Sequence, residues 1–336
     1  MTSAFGSSTV WLLRGRSSRK GNAMTTLFVA ISGGHLAQLH QLAPRVTKGE
    51  STWVTDATPQ SRSLLAGRRV RHVPTRPPRD WVGVLRDSAI VDRAILDHGV
   101  TRVISTGSQV ALSAYLAAKR RRVPFAYVES ATRVTHLSTT GRLLDKAPGV
   151  RRFVQHPTAV TSPRWAYRLS VFDGFTVHRE HERELRRVVV TMGGNGEYGF
   201  TRLAERLRDL LPSDADVLWQ LGSTPQLDLP GRVVASIPSH ELQRAMREAD
   251  VVIGHAGTGT ALAALSAGKL PLLVPRRVIH GEHVDAHQED LARALQGRGL
   301  AVVREADAVS LSDLVEVSQY AVQSADSPSE VDLFEA

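Results

Sequence analysis

The sequence predicts an α/β protein: two doubly wound parallel-sheet domains facing each other across a cleft. Three observations carry this. Short β-branched runs alternate with amphipathic stretches of helical period, the pattern of a parallel sheet covered by helices. The alternation restarts once, near residue 187. Each half also opens with a strand running into a Gly-Gly turn, at Gly33-Gly34 and at Gly193-Gly194. A chain of 336 residues suits two domains, at roughly 100–200 residues each.

From Met24 the elements follow in order. LFVAIS reads as the first strand and HLAQLHQLA as its helix. STWVT, a helix over 60–66, the strand RVRHVP and a helix over 81–97 come next. RVIST, the helix QVALSAYLAAKRR, PFAYVE and RRFVQH complete the first half. Two prolines and several aromatics mark 157–181 as the crossing between domains. The second half runs RRVVVT, a helix over 201–211, DVLWQLG, RVVASI, HELQRAMREA, VVIG, ALAALSAG, LPLLVP, VDAHQEDLARAL and LAVV. A last helix is expected over 310–323. The expected divisions are a disordered extension over 1–23, a first domain over 24–165, a linker over 166–186, a second domain over 187–324 and a frayed acidic tail over 325–336.

Composition narrows the function. The absence of cysteine rules out disulfides, thiolate metal sites and a cysteine nucleophile, and fits a reducing compartment. No run approaches the roughly 18 apolar residues of a membrane span. Charge is uneven: residues 24–150 hold 18 basic and 8 acidic side chains, residues 151–336 hold 20 and 25. A basic first half suits an anionic partner, a nucleic acid or a membrane surface. Nucleic acid is disfavoured because Lys119-Arg120-Arg121-Arg122 has no interleaved aromatic.

The stretch 251-VVIGHAGTGTALAALSAGKLPLLVP-275 sets His255 to Thr260 on a strand-to-helix turn. In an open α/β sheet such turns lie at the carboxyl edge, where ligands bind. Glycines admit close backbone approach, and free N–H groups at a helix start attract phosphate. A two-domain dehydrogenase would need G-x-G-x-x-G after a first strand. Neither Ser32-Gly33-Gly34-His35 nor Gly193-Gly194-Asn195-Gly196 has it.

The motifs 31-ISGGHLAQLHQL-42, 127-YVESATRVTHLSTTGRLL-144 and 153-FVQHP-157 resemble the acceptor subunit of the two-subunit N-acetylglucosaminyltransferase of dolichol-linked oligosaccharide assembly. From 187 to about 303, 191-TMGGN-195, 255-HAGTGT-260, 268-GKLPLLVPRR-277 and 281-GEHVDAHQ-288 resemble its catalytic partner and the C-terminal domain of glycosyltransferase family 28. Bacterial exopolysaccharide transferases are the nearest in pattern, and the chain looks like both subunits fused, acceptor half first. The resemblance implies a GT-B fold of two Rossmann-like domains and an inverting, metal-independent transfer. The donor would be a UDP-sugar (GlcNAc, glucose or glucuronic acid type), and the acceptor a polyprenyl-diphosphate-linked glycan.

The resemblance also distributes roles. His35 and Glu129 become candidate bases, with Ser32, Gly33, Gly34, Ser130 and Arg133 around the acceptor. The bland readings are a helix-start hydrogen bond for His35 and an i,i+4 ion pair of Glu129 with Arg133. Gly193, Gly194, Asn195, His255, Thr258, Gly259, Thr260, Glu282, His283, His287 and Gln288 would hold the donor. Ala263 departs from a pattern in which several members carry a ribose-binding glutamate.

Metal readings of His283/His287 and of Asp214-Ala215-Asp216 are set aside, the first for want of a third ligand. The UDP-sugar is a substrate, so no cofactor is expected. Lys119–Arg122, with Arg142 and Lys146 beside Leu143-Leu144, suggests peripheral docking on an anionic membrane. The expected location is cytoplasmic, on the inner face of the plasma membrane. A nucleotide-sugar 2-epimerase and a non-catalytic sugar- or lipid-binding scaffold stay open as alternatives.

Overall fold

The computed structural model describes residues 24–77, 80–160, 162–180, 184–193, 198–325 and 330–335. Its first domain alternates β1 (Thr25–Val29), α1 (Gly34–Val46), β2 (Glu50–Asp56), α2 (Pro59–Leu64), β3 (Arg69–Val73), α3 (Trp81–Asp97), β4 (Arg102–Ser105), α4 (Val110–Arg121), β5 (Phe125–Val128), α5 (Thr139–Asp145), β6 (Val150–Val154) and β7 (Trp165–Tyr167). The seven strands are parallel, in the order β3-β2-β1-β4-β5-β6-β7. All five residues of β1 are buried, as expected of a central strand covered on both faces. Thr58 caps α2 through a reciprocal bond with Ser61, and Pro59 opens that helix with a preset φ.

After β8 (Phe175–Arg179) the pattern repeats as β9 (Arg187–Thr191), α6 (Thr201–Leu210), β10 (Asp216–Gln220), β11 (Arg232–Val234), α7 (Ser239–Glu248), β12 (Val251–His255), α8 (Thr258–Ser266), β13 (Leu272–Val274), α9 (His287–Gly297), β14 (Val302–Val303) and α10 (Leu311–Ser318). The second sheet is ordered β11-β10-β9-β12-β13-β14. Both sheets are therefore doubly wound about their first strand. Strand order reverses between β1 and β4 in one and between β9 and β12 in the other. At each reversal the neighbouring helices leave for opposite faces, opening a crevice at the carboxyl ends.

Leu27, Val29, Val54 and Val73 pack one face of the first sheet under α3 and α4. The opposite face, with Phe28, Trp53 and Leu39 of α1, is continuous with the second domain's core through Val171, Phe172 and Phe175. That shared apolar body holds the two crevices towards each other.

Two expectations at the C-terminus are corrected. The helix expected over 310–323 ends at Ser318, and β15 (Tyr320–Ser324) pairs antiparallel with β8. β8 offers an edge for this short run, and sheet pairing overrides the helical pattern. The expected frayed tail is instead docked: Leu333 is 1% exposed, and the Val331 N–H donates to Arg45 O at 2.8 Å. Its acids meet the basic first half, Glu330 with Lys48 at 2.8 Å and Asp332 with Arg102 at 3.4 Å.

Candidate active site

The first crevice is built on the turn after β1. The Ser32 N–H and hydroxyl donate to the two carboxylate oxygens of Asp56, at 2.6 and 2.7 Å. The Gly33 N–H donates to Gln60 Oε1, and Gln60 Nε2 returns a bond to Gly33 O at 3.1 Å. These donors were expected to face an acceptor, yet they are committed inside the chain. Their work is to fix the turn, in which Gly33 takes φ +98°. The start of α1 keeps Gly34 and His35 towards the crevice.

His35 Nδ1 lies 2.9 Å from the carbonyl of Thr106, at the end of β4. A carbonyl only accepts, so Nδ1 carries the proton and Nε2 the lone pair. The Thr106 hydroxyl returns a bond to His35 O at 2.8 Å. Gly107, at φ +127°, leaves room for the ring: a β-carbon there would come within 2.7 Å of His35 Cε1. Burial, and then the Arg133 charge, pull the imidazole below its ordinary pKa, against the opposing effect of the Thr106 bond. The result is a neutral imidazole with one fixed tautomer, which suits a proton acceptor.

Glu129 is placed differently. Its Oε1 accepts from Tyr127 OH at 3.1 Å and from the Ser130 N–H at 2.9 Å. Oε2 accepts from the Ser138 N–H and hydroxyl, both at 3.0 Å. The residue is fully buried, and Gly141 is required beside it, because a β-carbon there would overlap Oε2. Burial raises its pKa while the Ser130 and Ser138 bonds oppose that rise. Four donors make this carboxylate the anchor of the loop over 129–138. Gln38 on α1 ties the same loop down, donating to Ser130 Oγ at 3.1 Å and accepting from the Ala131 N–H at 2.8 Å. Arg133 does not pair with Glu129. It crosses to the second domain and donates to Asp285 Oδ2 at 3.1 Å.

The second crevice lies between β9 and β12. His255 ends β12 with its ring between two glycines. A β-carbon on Gly193, at φ +81°, would come within 2.8 Å of Cε1, and one on Gly257 would overlap Nε2. Thr260 Oγ1 is 3.1 Å from His255 Nδ1. Burial and the neighbouring Arg276 lower its pKa to about 3, so it is neutral at physiological pH. Thr258, Gly259 and Thr260 form the first turn of α8, whose leading N–H groups have no intrahelical acceptor. Gly194 and Asn195 lie outside the described residues.

The loop 276–288 closes this side. Glu282, 6% exposed, accepts from Arg202 Nε and Nη2 at 3.1 and 3.2 Å and from the Arg277 N–H at 2.9 Å. It shapes the loop from within. Gln288 Oε1 accepts from the Arg276 N–H at 3.2 Å, so this amide too is partly engaged. His283 and His287 stand edge to face with centroids 4.4 Å apart, and both contact Asp285.

Two functional candidates escaped sequence reading. Arg276 is buried, donates to Met192 O at 2.7 Å, and has no partner for its Nε among the described residues. Its only sequence signal is an arginine directly after LPLLVP. Asp285 accepts from the His287 N–H at the start of α9 at 3.3 Å, and it also joins both histidines to Arg133 across the cleft.

The two crevices meet. A β-carbon on Gly259 would lie 3.9 Å from Gly34 Cα, so the N-termini of α1 and α8 approach to within a methyl group's reach. Helix starts carry positive potential, and two converging on one place favour an anionic ligand there.

Residues 187–330 match the glycosyltransferase family 28 C-terminal domain. No curated protein matches the chain. Among solved structures it is similar to MurG of Acinetobacter baumannii, at 19% identity and a TM-score of 0.52, over 88% of this chain and 89% of that one. SnogD, a glycosyltransferase from Streptomyces nogalater, is similar at 17% and 0.55, over 88% and 91%. The spinosyn rhamnosyltransferase SpnG, solved with thymidine diphosphate, is similar at 17% and 0.50, over 88% and 90%. The chain thus has the GT-B fold, and its second domain is of the family 28 C-terminal type.

Proposed function

We propose that this chain is an inverting glycosyltransferase moving a sugar from a UDP-sugar to a polyprenyl-diphosphate-linked acceptor in cell-surface polysaccharide synthesis. The observation that carries this reading is the meeting of the two helix starts at Gly34 and Gly259. One side offers His255, Thr258–Thr260 and the family 28 domain for UDP. The other offers His35 with Nε2 free to take a hydroxyl proton. Charge developing on the leaving UDP would be met by the α8 amides, a preorganised source of stabilisation that needs no reorganisation. Support for the donor half comes from the family match and from the nucleoside diphosphate bound to a protein of the same fold. A 2-epimerase would need no acceptor half. The constraint on His35 by Thr106 and Gly107 favours transfer, because it fixes a base on the side away from the donor. The test is a panel of UDP-sugars with a membrane extract, following UDP release. Release that does not depend on the extract would remove the lipid-linked acceptor.

The acceptor would bring the first domain to a membrane. No helix among the described residues is long and apolar enough to cross one. Lys119–Arg122 lies at the end of α4, on the edge of the sheet away from the crevice, and Arg121 is bound by Asp92 at 2.6 and 2.8 Å. Leu144 is fully buried. Arg120, Arg122, Arg142, Leu143 and Lys146 of this patch remain exposed, but we propose as the docking surface the start of α3, which begins at the crevice edge. There Trp81, Val82 and Leu85 are 55%, 59% and 64% exposed beside Arg86. An apolar first turn with a cation beside it suits an anionic leaflet, where each basic residue contributes about 1 kcal/mol. Replacing Trp81 and Leu85 by serine should abolish sedimentation with anionic vesicles. Unchanged sedimentation would return the role to other surfaces.

A further inference from the structure

Sequence reading set His283 and His287 aside as metal ligands because no third ligand was evident. The fold supplies one. Ligating atoms of His283, Asp285 and His287 all lie within 4.8 Å of one another. The two oxygens of Asp285 divide their work. Oδ1 faces both imidazoles, 3.6 Å from His283 Nδ1 and in direct contact with His287 Nδ1. Oδ2 accepts from Arg133, so the guanidinium holds the carboxylate from behind and stays out of the ligand space.

The tautomer of His283 points the same way. The backbone N–H of Asp285 donates to His283 Nδ1 at 3.4 Å, so that nitrogen is the unprotonated one, and a cation would take its lone pair in place of this long bond. Tyr198 lies against the His283 ring at 6.0 Å and 28°, fixing its plane. The two imidazoles meet at 89°, and both Nδ1 atoms face the same oxygen, Asp285 Oδ1. Both side chains are 17% exposed, enclosed yet reachable from the cleft.

We infer that His283, Asp285 and His287 form a binding site for a late first-row divalent cation of the zinc class. Two imidazole nitrogens and one carboxylate oxygen are the donor set such ions take, whereas magnesium and calcium prefer oxygen alone. Three protein ligands leave a coordination position open to the cleft for water or a ligand oxygen. Arg133 acts as the outer partner that orients the carboxylate, as hydrogen bonds to metal-bound ligands do elsewhere. The cluster lies on the loop that closes the proposed donor crevice, but its test does not depend on the sugar-transfer reading, because metal binding is read without turnover.

The test uses the full chain, treated with chelator, dialysed and titrated with Co²⁺ while visible absorption is followed. One saturable band per chain is expected, displaced by Zn²⁺ and not by a large excess of Mg²⁺. His283→Asn, Asp285→Asn and His287→Ala should each weaken Co²⁺ binding by at least about tenfold, since loss of even an outer partner costs roughly 10–100-fold. His280→Ala, an exposed histidine outside the cluster, should bind as the parent does. Thermal melts of each variant separate lost binding from lost folding, and the two asparagine variants keep side-chain shape. Absence of a saturable band, equal affinity in folded His283→Asn and His287→Ala variants, or displacement by Mg²⁺ would overturn the site.

Discussion

The two crevices share a topology and each holds a buried histidine, yet the histidines are held in opposite ways. His35 begins a helix, has its proton fixed on Nδ1 by Thr106 and keeps Nε2 open. His255 ends a strand, is enclosed by Gly193 and Gly257, and turns Nδ1 to Thr260 of the helix that follows. The first arrangement can accept a proton. The second fills space and shapes a turn, with an imidazole that stays neutral far below pH 6. On the proposed reading, similarly wound domains thus provide one reactive site and one binding site, and the difference lies in how the backbone holds each ring.

The comparison breaks most sharply at His35. His35→Ala is predicted to lower kcat by roughly 10²–10⁴-fold, the usual contribution of a general base, with UDP affinity retained. Steady-state kinetics with calorimetry checks this, and a two- or threefold loss would make the two histidines alike. In the parent, the acid limb of kcat should fall below the ordinary histidine pKa near 6.5, because burial keeps His35 neutral to lower pH.

At the second crevice, Gly257→Ala should displace the His255 ring without straining the backbone, since φ is −94° there. Overpacking of this kind typically costs ~1–3 kcal/mol, and UDP affinity should fall with it. Combining it with His255→Ala should recover stability but not affinity. The two changes would then be non-additive by ~0.5–3 kcal/mol, measured by urea unfolding. Strict additivity would mean that the ring does not occupy the space between the glycines.

Glu129 sharpens the contrast between reactive and architectural groups. All four of its partners are donors, so Glu129→Gln puts an NH₂ against them and should cost about 1–3 kcal/mol. A 10²-fold loss of kcat with an unchanged melting temperature would instead make Glu129 the base.

The remaining effect is one of pH. His255 has a folded pKa of about 3, below its unfolded value near 6.5. Between these values the unfolded chain binds the extra proton. Stability contributed by the neutral ring is therefore complete above about pH 6.5 and declines as pH falls, by up to about 1.4 kcal/mol per unit. His255→Asn should flatten the urea midpoint between pH 6 and 4 by one proton's share. An unchanged slope would indicate that the imidazole protonates in the folded state.

The strand-and-helix alternation made both sheets legible, because central parallel strands such as TTLFV and VVIGH leave unmistakable apolar runs. The Gly-Gly turns and HAGTGT pointed to both crevices. What stayed hidden depended on contacts distant in sequence. Glu129 reads as a reactive acid until Ser138 and Tyr127 fold onto it. Asp285 gives no sign in sequence of the Arg133 that arrives from the other domain. YAVQS reads as helix until β8 offers an edge. Leu143-Leu144 reads as an apolar surface pair, although only Leu143 reaches solvent. Short local patterns carried topology, while the assignment of charge partners required the assembled cleft.

The central claim is that UDP is held by the second crevice and the acceptor is activated by the first. The most direct measurement is calorimetric titration of UDP into the parent, His35→Ala and Gly259→Val proteins. A branched side chain at Gly259 would press on Gly34 and fill the place where the helix starts meet. The account predicts equal UDP affinity for the parent and His35→Ala, and no measurable binding by a folded Gly259→Val variant. Parent-like affinity in Gly259→Val, or loss of UDP binding in His35→Ala, would contradict it.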